Sequence, residues 1–265
     1  MKALMHDMTK CCGCRGCQVA CKQWNERPAL KTQFFAGKGY QNPGDLNYAT
    51  YTLITYNEVL VGGKFDWVMG KLQCKHCLTP ACEQICPVQA ITKTDTGAVV
   101  VDRDTCIGCQ LCGTVCPFDT PRYDADNENK MHKCWLCFDK LSAGEVSACA
   151  KTCALGAIFM GERDDVLKEA KRRLQTQPDL YVQHIYGQEE AGGTCVFQIS
   201  NVPFSLLGFP TNVPKEAIKV ERGEIVPNLK DIPPSMIAAS VFIAGVGWVI
   251  RRRLELSKNG TSNKR

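Results

Sequence analysis

Eighteen of the 265 residues are cysteine, and sixteen of them fall into four groups of four. The first group, Cys11, Cys14, Cys17 and Cys21, is a C-x2-C-x2-C-x3-C run. The second, Cys74, Cys77, Cys82 and Cys86, has a wider middle gap and is followed by Pro87. The third, Cys106, Cys109, Cys112 and Cys116, returns to the tight spacing and is followed by Pro117; in the fourth, Cys134, Cys137, Cys149 and Cys153, the middle gap grows again. Cys12 and Cys195 stand outside the pattern. Thiols in such numbers do one of three things: form disulfides, hold zinc, or hold iron and sulfide. Disulfide frameworks suit short secreted chains, and thiols crowded on one tight loop aim at a common centre rather than at distant partners. Structural zinc takes two cysteine pairs separated by a longer arm, closing one tetrahedron per four ligands.

The runs 11–21 and 106–116 place three ligands in one short loop and a fourth just beyond, the signature of bacterial ferredoxins. A cubane [4Fe–4S] core has separated corner irons, so one loop reaches three corners of one cube. The next cysteine, carried off on the following helix, ligates the other cluster of a pair. Four such groups in one chain favour iron–sulfur chemistry. The formal net charge of +5 counts every thiol as neutral. Four cubanes with their thiolates would bring it to roughly −3, since each contributes about −2. Lys10, Arg15, Lys75 and Lys133, beside the groups, either offset that burden or are solvated surface charges. Backbone amides at Gly13, Gly16 and Gly108 can donate to cluster sulfurs. His6, His76, His132 and His184 show no ligand spacing, and His76 is expected to stabilise its loop. Cys195 reads as a small buried hydrophobe and Cys12 as a cluster neighbour.

An apolar fraction of 45% with 22% charged residues excludes a disordered chain. There is no nucleophile–base pair, no phosphate-cradling loop and no defensible pair of substrate carboxylates. The pattern therefore implies a one-electron relay that is not catalytic by itself, with no nucleic-acid partner and no free small-molecule substrate.

The elements that position the thiols follow from the gaps. The groups can pair consecutively, first with second and third with fourth, or in a nest, second with third inside first with fourth. Nesting is favoured: 87–105 suits a helix, a turn and a hairpin, with a strand over 98–101 after the turn at 94–97, whereas 22–73 is too long for a minimal ferredoxin loop. Strand character appears at 51–56 and 57–61. Val166, Leu167, Ala170 and Leu174 predict an amphipathic helix over 162–175. Residues 180–230, rich in Gly and Pro, read as an arm wandering toward a partner or the membrane. No residue from Ile232 to Ile250 is charged; a helix of that length spans roughly 28 Å, close to a bilayer's hydrocarbon thickness. Pro233 and Pro234 suit its start, Trp248 an interface, and Arg251–Arg253 its stop. Basic residues 251–265 then point to the cytoplasm and the cluster-bearing part to the periplasm. Met1–Lys10 is too short and polar for a signal peptide.

The sequence resembles the four-cluster electron-transfer subunits of molybdopterin oxidoreductases, especially the iron–sulfur (beta) subunit of membrane-anchored formate dehydrogenase. The residues carrying the likeness are 7–11 (Asp-Met-Thr-Lys-Cys), 17–25, Cys74-Lys-His-Cys77, Cys106-Ile-Gly-Cys109, Cys116-Pro-Phe-Asp119, Pro121-Arg122 and 148–153. The resemblance implies an α+β fold of two nested bacterial-ferredoxin-like modules binding four [4Fe–4S] clusters, plus a single C-terminal transmembrane helix. Segments 1–30 and 130–160 would form the outer module and 65–125 the inner one. Around them would lie a docking or covering insertion (31–64), a helix and partner-contacting extension (161–230), the membrane helix (231–251) and a basic cytoplasmic tail (252–265). By the same resemblance Cys11, Cys14, Cys17 and Cys153 share a first cluster, and Cys134, Cys137, Cys149 and Cys21 a second. Cys74, Cys77, Cys82 and Cys116 share a third, and Cys106, Cys109, Cys112 and Cys86 a fourth. Ala154 replaces the proline usual after the last ligand. The implied partners are a molybdenum or tungsten pterin catalytic subunit oxidising formate, a membrane cytochrome b subunit reducing quinone, and membrane lipid. Electrons would cross the clusters in the order first to fourth. In this scheme the subunit is exported folded with a catalytic subunit bearing a twin-Arg signal; a cytoplasmic orientation is the alternative. The rival of the same class is the relay of a membrane-bound nickel–iron hydrogenase, and the rival of another class is a zinc or nucleic-acid-binding protein.

Overall fold

A computed structural model of the chain describes residues 1–32 and 40–220. The chain divides into two units, Met1–Val220 and Glu221–Arg265, and the second, with the expected membrane helix and basic tail, lies outside the described residues. So do residues 33–39 of the expected insertion. In chain order the elements are β1 (Lys2–Asp7), α1 (Gly16–Trp24), β2 (Leu53–Val61), β3 (Lys64–Leu72), α2 (Ala81–Ile85), β4 (Ile91–Lys93) and β5 (Val99–Val101). There follow α3 (Leu111–Thr114), β6 (Arg122–Asp124), β7 (Lys130–His132), α4 (Phe138–Ser142), α5 (Ala148–Lys151), β8 (Ile158–Glu162), α6 (Arg163–Thr176) and β9 (Val196–Ile199). Among the described residues no helix is long and apolar enough to cross a membrane.

Small sheets and short helices are what a chain this rich in cysteine loops can build. β1 lies between β8, antiparallel, and β9, parallel, with Leu4 opposite Met160 on one side and Val196 on the other. Alternation along β1 divides the interior. Ala3 and Met5 face Val166, Ala170 and Leu174 of α6, while Leu4 faces Cys17, Leu136 and Cys149. One strand thus serves an ordinary apolar core on one side and the thiols on the other. The 162–175 expectation matches α6, whose first turn carries Asp164 and Asp165 and whose last carries Arg173, as the helix dipole favours. Arg173 also reaches the fully buried Asp7 at 2.8 Å, tying α6 to β1.

Two sequence expectations change. Strand character at 51–61 resolves as β2, but its partner β3 was not foreseen, and the two form one hairpin whose turn uses Gly62 and Gly63 at φ +57° and +78°. The expected boundary between insertion and inner module, at 64/65, lies at the start of β3, just past the turn of that hairpin. The described part of 180–230 is no free arm: Cys195, Phe197 and Ile199 have no exposed surface, and β9 closes an edge of the β1 sheet. A four-residue strand after a Gly-rich stretch has too little periodicity to announce itself.

Candidate functional site

Each cysteine loop repeats one backbone device. The residue before the second cysteine is left-handed in all four: Gly13 (φ +70°), His76 (+52°), Gly108 (+69°) and Leu136 (+59°). Such a residue between ordinary ones turns successive N–H groups toward one side, a concavity that favours anions. At Gly108 a side chain is excluded outright, because a Cβ would stand 2.0 Å from the Glu128 carbonyl oxygen. His76 and Leu136 accept the left-handed strain that glycine avoids. The His76 ring is locked by the Val99 N–H donating to its Nδ1 at 2.9 Å, the loop-stabilising role expected of it. The third cysteine of each group then sits in a helix; the fourth is at or just past that helix's end in the last three groups, while Cys21 stays inside the longer α1.

Those helices pack in pairs, α1 on α5 and α2 on α3. The first and fourth groups therefore share one neighbourhood, the second and third another. Cys21, Cys134, Cys137 and Cys149, all buried, line one cavity. Cys86, Cys106, Cys109 and Cys112 line a second. Cys11 has the thiols of Cys12, Cys153 and Cys14 near it, and Cys17 those of Cys149, Cys11 and Cys14. Cys82 likewise lies among Cys74, Cys116 and Cys77. Cys74 packs with Cys21, Tyr51 and Cys134, so the inner and outer neighbourhoods touch there. Cys14 and Cys109 reach the surface, and Cys12 is exposed outside every set. Among the described residues no three Cys, His, Asp or Glu side chains converge tightly enough for a single metal ion. The thiols surround volumes.

Electrostatics tests whether those volumes fit a cationic core. Burial pushes the Cys134 thiol up to about 12, and Cys149, Cys74 and Cys137 push the same way against Lys71. Burial raises Cys17 and Cys77 to about 12 and Cys137 and Cys112 to about 11. Left alone, these groups stay protonated. Iron binds thiolate, so a metal–sulfide core supplies the positive charge that reverses the shift, and the residues present fit one. Sulfur atoms already have polar neighbours: the Leu136 N–H donates to Cys134 Sγ (3.4 Å), the Ala90 N–H to Cys86 Sγ (3.2 Å) and the Asn25 amide to Cys21 Sγ (3.6 Å). The hydroxyls of Ser147 and Tyr123 lie 3.3 Å from Cys149 and Cys112.

Of the four cations singled out in the sequence, Lys75 and Lys133 are buried while Lys10 is exposed and Arg15 half-buried. Lys75 is lowered to about 7 by burial, partly countered by Glu190; it bonds Gln198 and lies 4.8 Å from the Tyr186 ring centre. Lys133 donates to the carbonyls of Val99 and Cys134. Sequence reasoning missed Lys71, the most buried cation among the described residues at 1% exposed. Burial opposes its charge, but Cys149, Cys17, Cys134 and Cys21 outweigh that and raise it. It precedes Cys74 by three residues at the end of β3, and only recognition of that strand could have turned it inward. Cys195 is fully buried, within 3.4 Å of the Lys93 ammonium, and outside all four sets.

A family profile described as a 4Fe-4S dicluster domain matches residues 65–163, which hold the second, third and fourth groups. The chain is 32% identical to the nitrate-inducible formate dehydrogenase iron-sulfur subunit of Escherichia coli (strain K12), covering 97% of this chain and 86% of that one. It is 31% identical to the hydrogenase-2 operon protein HybA of Escherichia coli O157:H7, over 78% of this chain and 72% of that one. A protein of Nitratidesulfovibrio vulgaris is 35% identical over 77% of this chain, which spans only 55% of that relative's length.

Proposed function

The chain belongs to the family of formate dehydrogenase iron–sulfur subunits, and from that we propose that it relays electrons from a molybdopterin subunit oxidising formate, through four [4Fe–4S] clusters, to a cytochrome b subunit in the membrane. It is an electron-transfer subunit that holds iron–sulfur clusters and is not itself catalytic. In the proposed assignment Cys11, Cys14, Cys17 and Cys153 hold the first cluster, and Cys21, Cys134, Cys137 and Cys149 the second. Cys74, Cys77, Cys82 and Cys116 hold the third, and Cys86, Cys106, Cys109 and Cys112 the fourth. The clusters supply one-electron chemistry; the protein supplies ligands, spacing and charge.

The observation that carries the reading is connectivity. Cys17 and Cys21 lie one turn apart on α1, about 6 Å along the axis, so the first and second sets adjoin. Cys112 of α3 and Cys116, two residues past its end, join the third and fourth sets by the same four-residue spacing. The packing of Cys74 against Cys21 and Cys134 supports a junction between second and third. A linear order from the Cys11 set to the Cys106 set follows, with the surface thiols Cys14 and Cys109 at its two ends. Serine at Cys14 or Cys109 should then alter only an end cluster, seen as one changed EPR signal with three unchanged. Loss of two signals from either variant would break the assignment.

The hydrogenase-operon relative keeps a second reading open, in which the donor subunit oxidises hydrogen. Purification of the intact complex in mild detergent separates the two: a pterin-containing partner with formate-dependent dye reduction supports the first, a nickel–iron partner the second. We also propose, from the sequence alone, that 231–251 anchors the subunit with its cluster-bearing part in the periplasm. Protease added to spheroplasts should then digest that part, and full protection would reverse the orientation.

A further inference from the structure

The cavity lined by Cys21, Cys134, Cys137 and Cys149 also has Thr52, Gln73 and Trp135 in its wall. Gln73 is 2% exposed, and its Nε2 has no hydrogen-bond partner; the shielded Nε1 of Trp135 has none either. A buried donor left unpaired costs about 1–3 kcal/mol, so two beside one set of thiols call for an acceptor between them. The orientation of the Gln73 amide is not arbitrary. The Lys71 ammonium donates to Thr52 Oγ1 at 2.6 Å, so the Thr52 hydroxyl must send its own proton onward. Gln73 Oε1 lies 3.2 Å from that hydroxyl, closer than the competing Leu72 carbonyl oxygen at 3.4 Å, and accepts it. With its oxygen committed to Thr52, the amide turns its nitrogen away, and a flipped amide would set N–H against O–H. Lys71, Thr52 and Gln73 are all at most 2% exposed, so water does not compete for these bonds.

We propose that Gln73, oriented by Lys71 through Thr52, donates its amide N–H to the iron–sulfur cluster held by Cys21, Cys134, Cys137 and Cys149, with the Trp135 indole as a second donor, and that the pair raises the reduction potential of that cluster alone. This rests on the ligand assignment above and adds residues that are not ligands. An electron taken up by the core adds one negative charge; an N–H bond to sulfur stabilises the reduced form more than the oxidised one. The buried Lys71 cation strengthens the donor by polarising the chain between them. Gln73 and Trp135 are positioning and tuning residues, since the iron is held by the thiolates.

The test is an anaerobic redox titration of the full chain followed by EPR, in wild type, Gln73→Met, Thr52→Val and Trp135→Phe. In Gln73→Met one of the four signals should move to lower potential, with its reduction constant down about tenfold, or ~59 mV for one electron, and the other three unmoved. Thr52→Val keeps the donor but frees its orientation, so it should move the same signal in the same direction by less. It also carries the test if the methionine variant binds less iron. Pulsed EPR of protein labelled with ¹⁵N in the glutamine side chain should show coupling to that cluster in wild type, lost in Gln73→Met. Unchanged titrations in Gln73→Met and Thr52→Val, or equal movement of all four signals, overturns the inference while leaving the ligand assignment intact. If Cys21→Ser loses no iron–sulfur signal, the assignment itself fails and the inference with it.

Discussion

Replacing Gly108 by alanine separates backbone strain from close packing in the third cysteine loop. Alanine in a left-handed conformation costs about 1–2 kcal/mol wherever it stands. Gly156 provides the control: its φ of +62° nearly matches the +69° of Gly108, but a Cβ there meets nothing within 4 Å. At Gly108 the same Cβ would lie 2.0 Å from the Glu128 carbonyl oxygen, more than an ångström inside ordinary contact. The backbone it strikes is the turn between β6 and β7, where Glu128 and Asn129 are themselves left-handed at φ +50° and +54°. A turn already strained cannot retreat freely, so the loop carrying Cys106 and Cys109 must move instead, at a further cost of about 1–3 kcal/mol. Gly156→Ala should retain all its iron and lose roughly 2–8 °C in Tm, at about 2–4 °C per kcal/mol for a chain this size. Gly108→Ala should lose about four irons per chain, one cluster's worth, and unfold below the control. Iron assay and calorimetry under argon measure both. Equal iron content and equal Tm in the two variants would refute the reasoning.

Cys12→Ser and Cys195→Ser should leave iron content unchanged, whereas Cys21→Ser should lower it, measured by iron per chain after anaerobic purification. Arg173→Met strands the Asp7 carboxylate, which is fully buried and otherwise keeps the Tyr181 hydroxyl at 2.9 Å and the Thr9 hydroxyl and backbone N–H at 2.6 and 3.0 Å; a loss of about 3 kcal/mol is expected, read as a lower urea midpoint. His184 is raised above its ordinary value by its hydrogen bond to Glu190. Its contribution is therefore complete below pH 6.5 and lost as pH rises through the higher folded value. His184→Asn should remove that slope from a plot of Tm against pH, and an unchanged slope would assign it elsewhere.

The chemistry of the site was legible because ligand spacing is local. The runs at 11–21 and 106–116 name their centre through the geometry of a single loop, and Gly13 and Gly108 mark where that loop must turn left-handed. Helix α6 was legible for a similar reason: fourteen residues carry several turns of apolar period. What escaped is what tertiary packing decides. Lys71 and Gln73 flank the end of β3, and nothing in Lys-Leu-Gln-Cys says that the lysine faces thiols on both sides. β3 itself begins with Lys64 and Asp66 and turns inward only toward its end, so its alternation is weak. β9 was hidden by its length and by the glycines before it, although every one of its residues is buried. The sequence places Lys75 and Lys133 beside ligands, but their burial depends on Tyr186, Gln198 and Val99, remote in sequence.

Mössbauer spectroscopy of the full chain, purified without oxygen from cells grown on ⁵⁷Fe, tests the four-cluster relay most directly. About sixteen irons per chain, all in cubane environments, are expected from the thiol sets. Half that number, or a colourless protein loaded with zinc, would contradict it.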